Sequence, residues 1–237
     1  NIQVAWAHLA VQDAAATPCE CVRSLMAFFA KYRHRLTDII EGWTDASDPM
    51  QRPHIRFDGT HLKENTEKWA HAQNDALGYF LWLTAVRVER GDLAKSEVDW
   101  TLIAELVRYF QVIEVWQDED SGHWEEVRKV AASSIGCVVA GLDQLRTLMK
   151  QDDIRAGLAS GSHPITIADV ATLSTTCRTA LLNILPAECV QSDPLKNRRY
   201  DAALLFLIYP LNVLQDRELE DQILADVKTA LQGPYGI

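Results

Sequence analysis

The segment Trp116-Gln-Asp-Glu-Asp-Ser-Gly-His-Trp-Glu-Glu126 places five carboxylates and two indoles within eleven residues. A carboxyl group keeps its proton near neutral pH when apolar surface or other negative charges surround it, and that is what a general acid requires. Trp124 and the cluster Asp118 to Asp120 could exert both influences on Glu125. The same pattern has a plainer explanation, in which Glu125 and Glu126 occupy the first turn of a following helix. Free N–H groups and the helix dipole favour carboxylates there by about 0.3–1 kcal/mol. A helix end would also lower the pKa of the acid, so the two explanations pull in opposite directions.

A second constellation, Trp69-Ala-His-Ala-Gln-Asn-Asp75, stands just ahead of an apolar helical pattern. A sugar ring presents an apolar C–H face with hydroxyls at its rim, so Trp69 can stack on it while Gln73 and Asp75 hydrogen-bond to it. Helix capping by Asn74 or Asp75, with Trp69 as a packed anchor, is the alternative. Other chemistries lack their signatures. The remaining histidines, His8, His34, His54, His61 and His163, form neither H-E-x-x-H nor H-x-H, and Cys19-Glu-Cys21 has no second ligand cluster nearby, so no metal site is expected. G-x-S-x-G, G-x-G-x-x-G and G-x-x-x-x-G-K are all missing, which removes the usual marks of serine nucleophiles, dinucleotides and phosphoryl transfer. No cofactor is expected.

These motifs are carried by a chain of 237 residues, enough for one large domain. Hydrophobic residues at 48% and charged residues at 24% exclude disorder and fibrous repeats. A net charge of -10 repels phosphate backbones and anionic lipid, so nucleic acid and membrane surfaces are not expected partners. Five cysteines, an odd number lying mostly inside apolar patterns, read as reduced thiols of a cytoplasmic protein.

Apolar residues recur at three- and four-residue spacing, and glycine and proline are scarce, so the fold class is all-α. The spacing predicts helices over 2–16 and 18–40, then a long loop over 42–68 with short strands around His54 to Phe57. Further helices are predicted over 74–91, 98–115, 125–150, 152–159, 167–173, 174–184, 201–214 and 217–231. No solenoid period is present, which leaves an array of long helical hairpins. Asn1 follows no cap, and the chain stops after a turn signal at Gly233-Pro234. An internal fragment truncated at both ends is therefore expected.

Together and in this order, the motifs resemble glycoside hydrolase family 15, the glucoamylase-like enzymes, and the related domain of the phosphorylase kinase α and β subunits. Trp69-x-His71-x-Gln73-x-Asp75 resembles the family's W-G-x-x-Q-x-D segment, and Trp124-Glu-Glu-Val127 its W-E-E-V acid segment. Arg199-Tyr-Asp-Ala-Ala-Leu-Leu-Phe-Leu-Ile-Tyr-Pro210 resembles its late D-A-x-L-L helix. The similarity spans about residues 50–214. It implies a single incomplete domain over 1–237, part of an (α/α)6 toroid of paired antiparallel helices.

The resemblance further implies an inverting, exo-acting α-glucoside hydrolase that takes glucose from α-glucans or malto-oligosaccharides. Glu125 would be the general acid, with Glu126 beside it on the sugar. Trp69 would stack, Gln73 and Asp75 would support the pocket, Trp124 would wall the acid and Trp116 would be a further sugar platform. The catalytic base would lie outside this chain, leaving the fragment itself inactive. Ala70 and His71 depart from typical glucoamylases towards the phosphorylase-kinase version. A non-hydrolytic regulatory or carbohydrate-sensing domain is therefore the alternative function.

Overall fold

The computed structural model describes residues 16–234 together with Ala7 and Gly236; the predicted helix over 2–16 lies almost wholly outside the described residues. The chain runs α1 (Ala16–Lys31), α2 (His34–Ile40), a small β1 (Phe57–Asp58) and β2 (Lys63–Glu64), then α3 (Asn74–Glu89) and α4 (Trp100–Val112). It continues through α5 (Ala132–Leu148), α6 (Asp152–Leu158), α7 (Ile167–Ile184), α8 (Leu205–Ile208) and α9 (Arg217–Leu231). The strands pair antiparallel, Phe57 opposite Glu64 and Asp58 opposite Lys63. Phe57 is stacked on Phe28 of α1 at 3.8 Å, so the loop over 42–68 is pinned to the helical body.

Alternate helices are neighbours. α1 packs on α3, α3 on α5 and α5 on α7, while α2 packs on α4 and α4 on α6, giving the two rows of part of an α/α toroid. The reason is in the sequence of α3 and α5. Both are apolar on nearly every face, so each must be covered on all sides. Gly78 lets them touch, since a Cβ there would stand 2.7 Å from the backbone of Cys137 and Val138. Side chains cap the starts of α4 (Asp99), α7 (the Thr166–Asp169 capping box) and α9 (Asp216).

Five expected elements are corrected. The helix predicted over 18–40 is divided at Tyr32 and Arg33, where Arg33 turns to pair with Asp99 at 2.6 Å and Glu105 at 2.9 Å. The patterns over 167–173 and 174–184 are one helix, α7. The helix predicted over 201–214 shrinks to a 3-10 turn at Ala202–Leu204 followed by α8, because Pro210 forces Tyr209 into extended backbone. The helix predicted from Glu125 begins instead at Ala132. No helix among the described residues is long and apolar enough to cross a membrane. The cysteines among them are free, and all but the half-buried Cys21 are buried.

Candidate active site

Residues 120–129 form a loop rather than a helix start. Asp120 and Lys129 close it by exchanging backbone hydrogen bonds of 3.0 and 2.9 Å. Inside it the N–H of Glu125 donates to the Gly122 carbonyl at 3.2 Å, and that of Glu126 to the Ser121 carbonyl at 3.1 Å. This winding holds Glu125 at φ +56. A left-handed conformation costs a side-chain-bearing residue roughly 1–2 kcal/mol, and such strain collects at functional positions. The first-turn explanation for the two glutamates therefore fails, since neither lies in a helix.

The strained loop is moored to the 69–73 segment, with the Ser121 N–H donating to the Ala72 carbonyl at 2.8 Å. The side chains then meet, as Gln73 Nε2 donates to Glu125 Oε1 at 3.3 Å and to the Ala70 carbonyl at 3.1 Å. Two cavities adjoin this contact. One, of about 630 Å³, is lined by Glu20, Arg56, Gln73 and Glu125 among others. The other, of about 270 Å³, is lined by Phe57, Gln73, Asp75, Tyr79, Phe80 and His123 among others. They share Leu25, Ile55, Phe57, Gln73 and Ala76, so Gln73 stands at the junction of one cleft.

His123 links the acid loop to two helices. Its Nε2 lies 3.1 Å from the Tyr79 hydroxyl and its Nδ1 lies 3.3 Å from Ser133 Oγ and 3.5 Å from Asp75 Oδ2. Its ring stacks on Phe206. Outside the lining of both cavities His54 and His71 stack at 3.7 Å, and the Ile55 N–H donates to His71 Nδ1 at 3.3 Å. Burial, with His54 alongside, pushes the His71 pKa down to about 4, so the pair is neutral packing rather than proton chemistry.

Behind the cleft lies a layer of buried carboxyls. Burial and the neighbouring Asp75 push Asp120 well above the ordinary carboxylate range, although it accepts the Asn74 N–H at 2.8 Å. Burial likewise pushes Glu188 up to about 8, while its oxygens accept from the Ser133 hydroxyl at 2.6 Å and the Ser133 N–H at 3.1 Å. Asp118 receives Arg52 through two 2.6 Å hydrogen bonds and the Asn74 side chain at 2.8 Å. The Asp118–Arg52 ion pair, with both carboxylate oxygens bonded, fixes the geometry of the loops it joins.

The structure brings Gln73, Asp75 and Glu125 to one cleft and disperses the four other expected site residues. Trp124 does not wall the acid: it is half exposed, its indole N–H donates to Asp201 Oδ1 at 2.7 Å, and Glu125 is left exposed. Glu126 is bound by Arg198 at 2.6 Å and Lys129 at 3.3 Å. The guanidinium of Arg56 lies 3.9 Å over the Trp69 ring and covers it. Trp116 is half-buried against the core, outside the lining of either cavity. Sequence reasoning gave no site role to Arg56, Tyr79, His123 or Glu20. His123 alone carried a signal, its place beside the acid pair.

Two rows of helices with a carboxylate-bearing loop over a small, mixed-polarity cavity define a chain of the α/α-toroid class. Residues 22–199 match the sequence profile of Glycosyl hydrolases family 15, and the chain belongs to that family. No curated protein matches it. Among solved structures it is similar to a wild-type glycosidase, at 18% identity and a TM-score of 0.71, covering 95% of this chain and 58% of that one. A glycosidase variant in complex with glucose is similar at 18% identity and a TM-score of 0.72, with the same coverage. The likeness at such identity is one of fold, and the chain spans 58% of the length of these relatives.

Proposed function

We propose that this chain carries the acid half of an inverting, exo-acting α-glucoside hydrolase, with Glu125 protonating the glycosidic oxygen of an α-glucan or malto-oligosaccharide. The observation that carries the reading is the Gln73–Glu125 contact, which places a strained carboxylate at the mouth of a cleft. The cavity that Asp75 lines is about 270 Å³, at the small end of ligand pockets, which begin at roughly 300 Å³, and adjoins the 630 Å³ cavity that Glu125 lines; a seat of that size favours removal of one terminal sugar at a time. Inversion needs a second carboxylate roughly 6.5–9.5 Å from the acid with a water between. We assign that base to no residue of this chain, so the chain by itself is expected to be inactive. The free cysteines support work in the cytoplasm.

The alternative, a non-hydrolytic sensing domain of the phosphorylase-kinase kind, draws support from the exposure of Glu125 and from the Trp124 indole being engaged by Asp201. Turnover separates the two. The whole protein and its Glu125→Gln form are compared on maltose, maltotriose and soluble starch, and loss of the acid should cost about 10²–10⁴-fold. An unchanged rate removes Glu125 from its role, and no glucose release by the unmodified protein favours sensing.

A further inference from the structure

The loop bearing Glu125 is held from a second direction, by residues 188–201. Lys196 Nζ lies 2.5 Å from Glu119 Oε1, and Gln191 Oε1 accepts the Val130 N–H at 2.9 Å, so the loop is gripped just outside each end. Between those ends the same segment reaches both chain neighbours of Glu125. Asp201 Oδ1 accepts the Trp124 indole N–H at 2.7 Å, and Arg198 Nη2 lies 2.6 Å from Glu126 Oε2.

The two grips are one unit. Arg198 Nη1 donates to Asp201 Oδ2 at 3.0 Å, so a single guanidinium spans Asp201 and Glu126. The planar fork of arginine suits two carboxylates at once, whereas the ammonium of lysine is a point charge. Asp201 is 3% exposed at its side chain and also accepts the Ala203 N–H at 2.9 Å. Arg198 is fixed at its backbone, where it exchanges hydrogen bonds of 2.9 and 3.1 Å with Cys189. Next to Cys189 the Glu188 carbonyl accepts the Ala132 N–H at 2.8 Å, at the start of α5. The hold therefore comes from a segment tied to the helical body, and it acts on either side of a residue at φ +56. A left-handed backbone at a residue other than glycine persists only where its surroundings over-determine it.

We propose that Arg198 and Asp201 are positioning residues for the general acid, fixing the direction of Glu125 by holding Glu126 and Trp124 on either side of it. The inference rests on reading Glu125 as the acid, and it deepens that reading. It gives Glu126 and Trp124 a task other than sugar contact, as the handles by which the loop is held. Misplacing a reacting group by about 1 Å costs up to roughly 10²-fold, and only a leaving group that needs the proton feels the loss of an acid.

The test compares the rate on maltose, whose departing glucose must be protonated, with the rate on α-glucosyl fluoride, whose fluoride leaves with little help from an acid. Both are measured on the whole protein and on Arg198→Met, Arg198→Lys, Trp124→Phe and Glu125→Gln. Their ratio does not depend on how much of a variant is folded. Asp201 is left in place because its own loss would also uncap the turn at Ala202–Leu204. Arg198→Met and Trp124→Phe should each lower the maltose-to-fluoride ratio of kcat about tenfold, with KM for maltose within about twofold of native. Arg198→Lys should recover little of that loss. Equal losses on both substrates mean a merely structural role and overturn the inference. A native ratio in either Arg198→Met or Trp124→Phe overturns it too, as does a native ratio in Arg198→Lys, which would leave charge alone at work. Glu125→Gln should lower the ratio by about 10²–10⁴-fold. If it does so while the other variants keep the native ratio, this inference alone falls. If Glu125→Gln keeps the native ratio, or the native protein releases no glucose from maltose, the acid reading falls and takes this one with it.

Discussion

Gln73 and Glu125 meet across a separation of 52 positions in the sequence, the side-chain amide of one donating to the carboxylate of the other at 3.3 Å. Glu125 is exposed, so without this tether its carboxylate would sample many orientations over the cleft. Gln73→Leu should therefore lower kcat/KM of the whole protein by roughly tenfold, a little over 1 kcal/mol of lost orientation. Stability should change little, because the contact lies at the edge of water. A variant with native turnover would show that the amide does not position the acid.

The left-handed backbone of Glu125 separates stability from function. Glycine adopts that φ without the Cβ penalty, so Glu125→Gly should stabilise the fold by about 0.5–1 kcal/mol while removing the carboxylate. Urea unfolding measures the gain and turnover measures the loss. A destabilised glycine variant would mean that the glutamate side chain, not its backbone, holds the loop.

The helices that form the rows are legible because apolar residues recur at helical spacing along them, most densely in α3 and α5, although that spacing reads α7 as two helices. The loop bearing Glu125 is not. Its winding depends on the Asp120–Lys129 closure and on the Ser121 N–H reaching Ala72, pairings that no local spacing encodes. Carboxylates at 125 and 126 ahead of an apolar pattern read as a first helical turn, although the helix begins only at Ala132. Trp124 failed for a related reason: an indole next to a carboxylate in sequence looks like its cover, but the Asp201 carboxylate, 77 positions away, claims its N–H.

Gly78 tests the packing of the two rows. Alanine normally stabilises a helix interior over glycine by about 0.5–1 kcal/mol. Here its Cβ would lie 2.7 Å from backbone atoms of α5, which cannot move aside as a side chain can. Gly78→Ala should cost about 2–3 kcal/mol and lower Tm by several degrees. A stabilised variant would show that α3 and α5 pack less closely than described.

Buried Glu188 ties stability to pH. Its pKa is pushed up to about 8 by burial, with Asp201 adding repulsion and Ser133 opposing both, against about 4.3 in an unfolded chain. Between those values the folded chain keeps a proton that the unfolded chain has released, so stability falls as pH rises through this window. His71 acts from the other side. With a folded pKa of about 4 against about 6.5 unfolded, it contributes stability at neutral pH that is lost as pH falls below about 6.5. Glu188→Gln removes the titration while keeping an acceptor for Ser133, and should flatten the decline in Tm between pH 5 and 8. The difference between native and variant slopes should integrate to a few kcal/mol. Parallel Tm profiles for the two proteins would mean that Glu188 is ionised in the fold, and Ser133 would then be holding a charge rather than a proton.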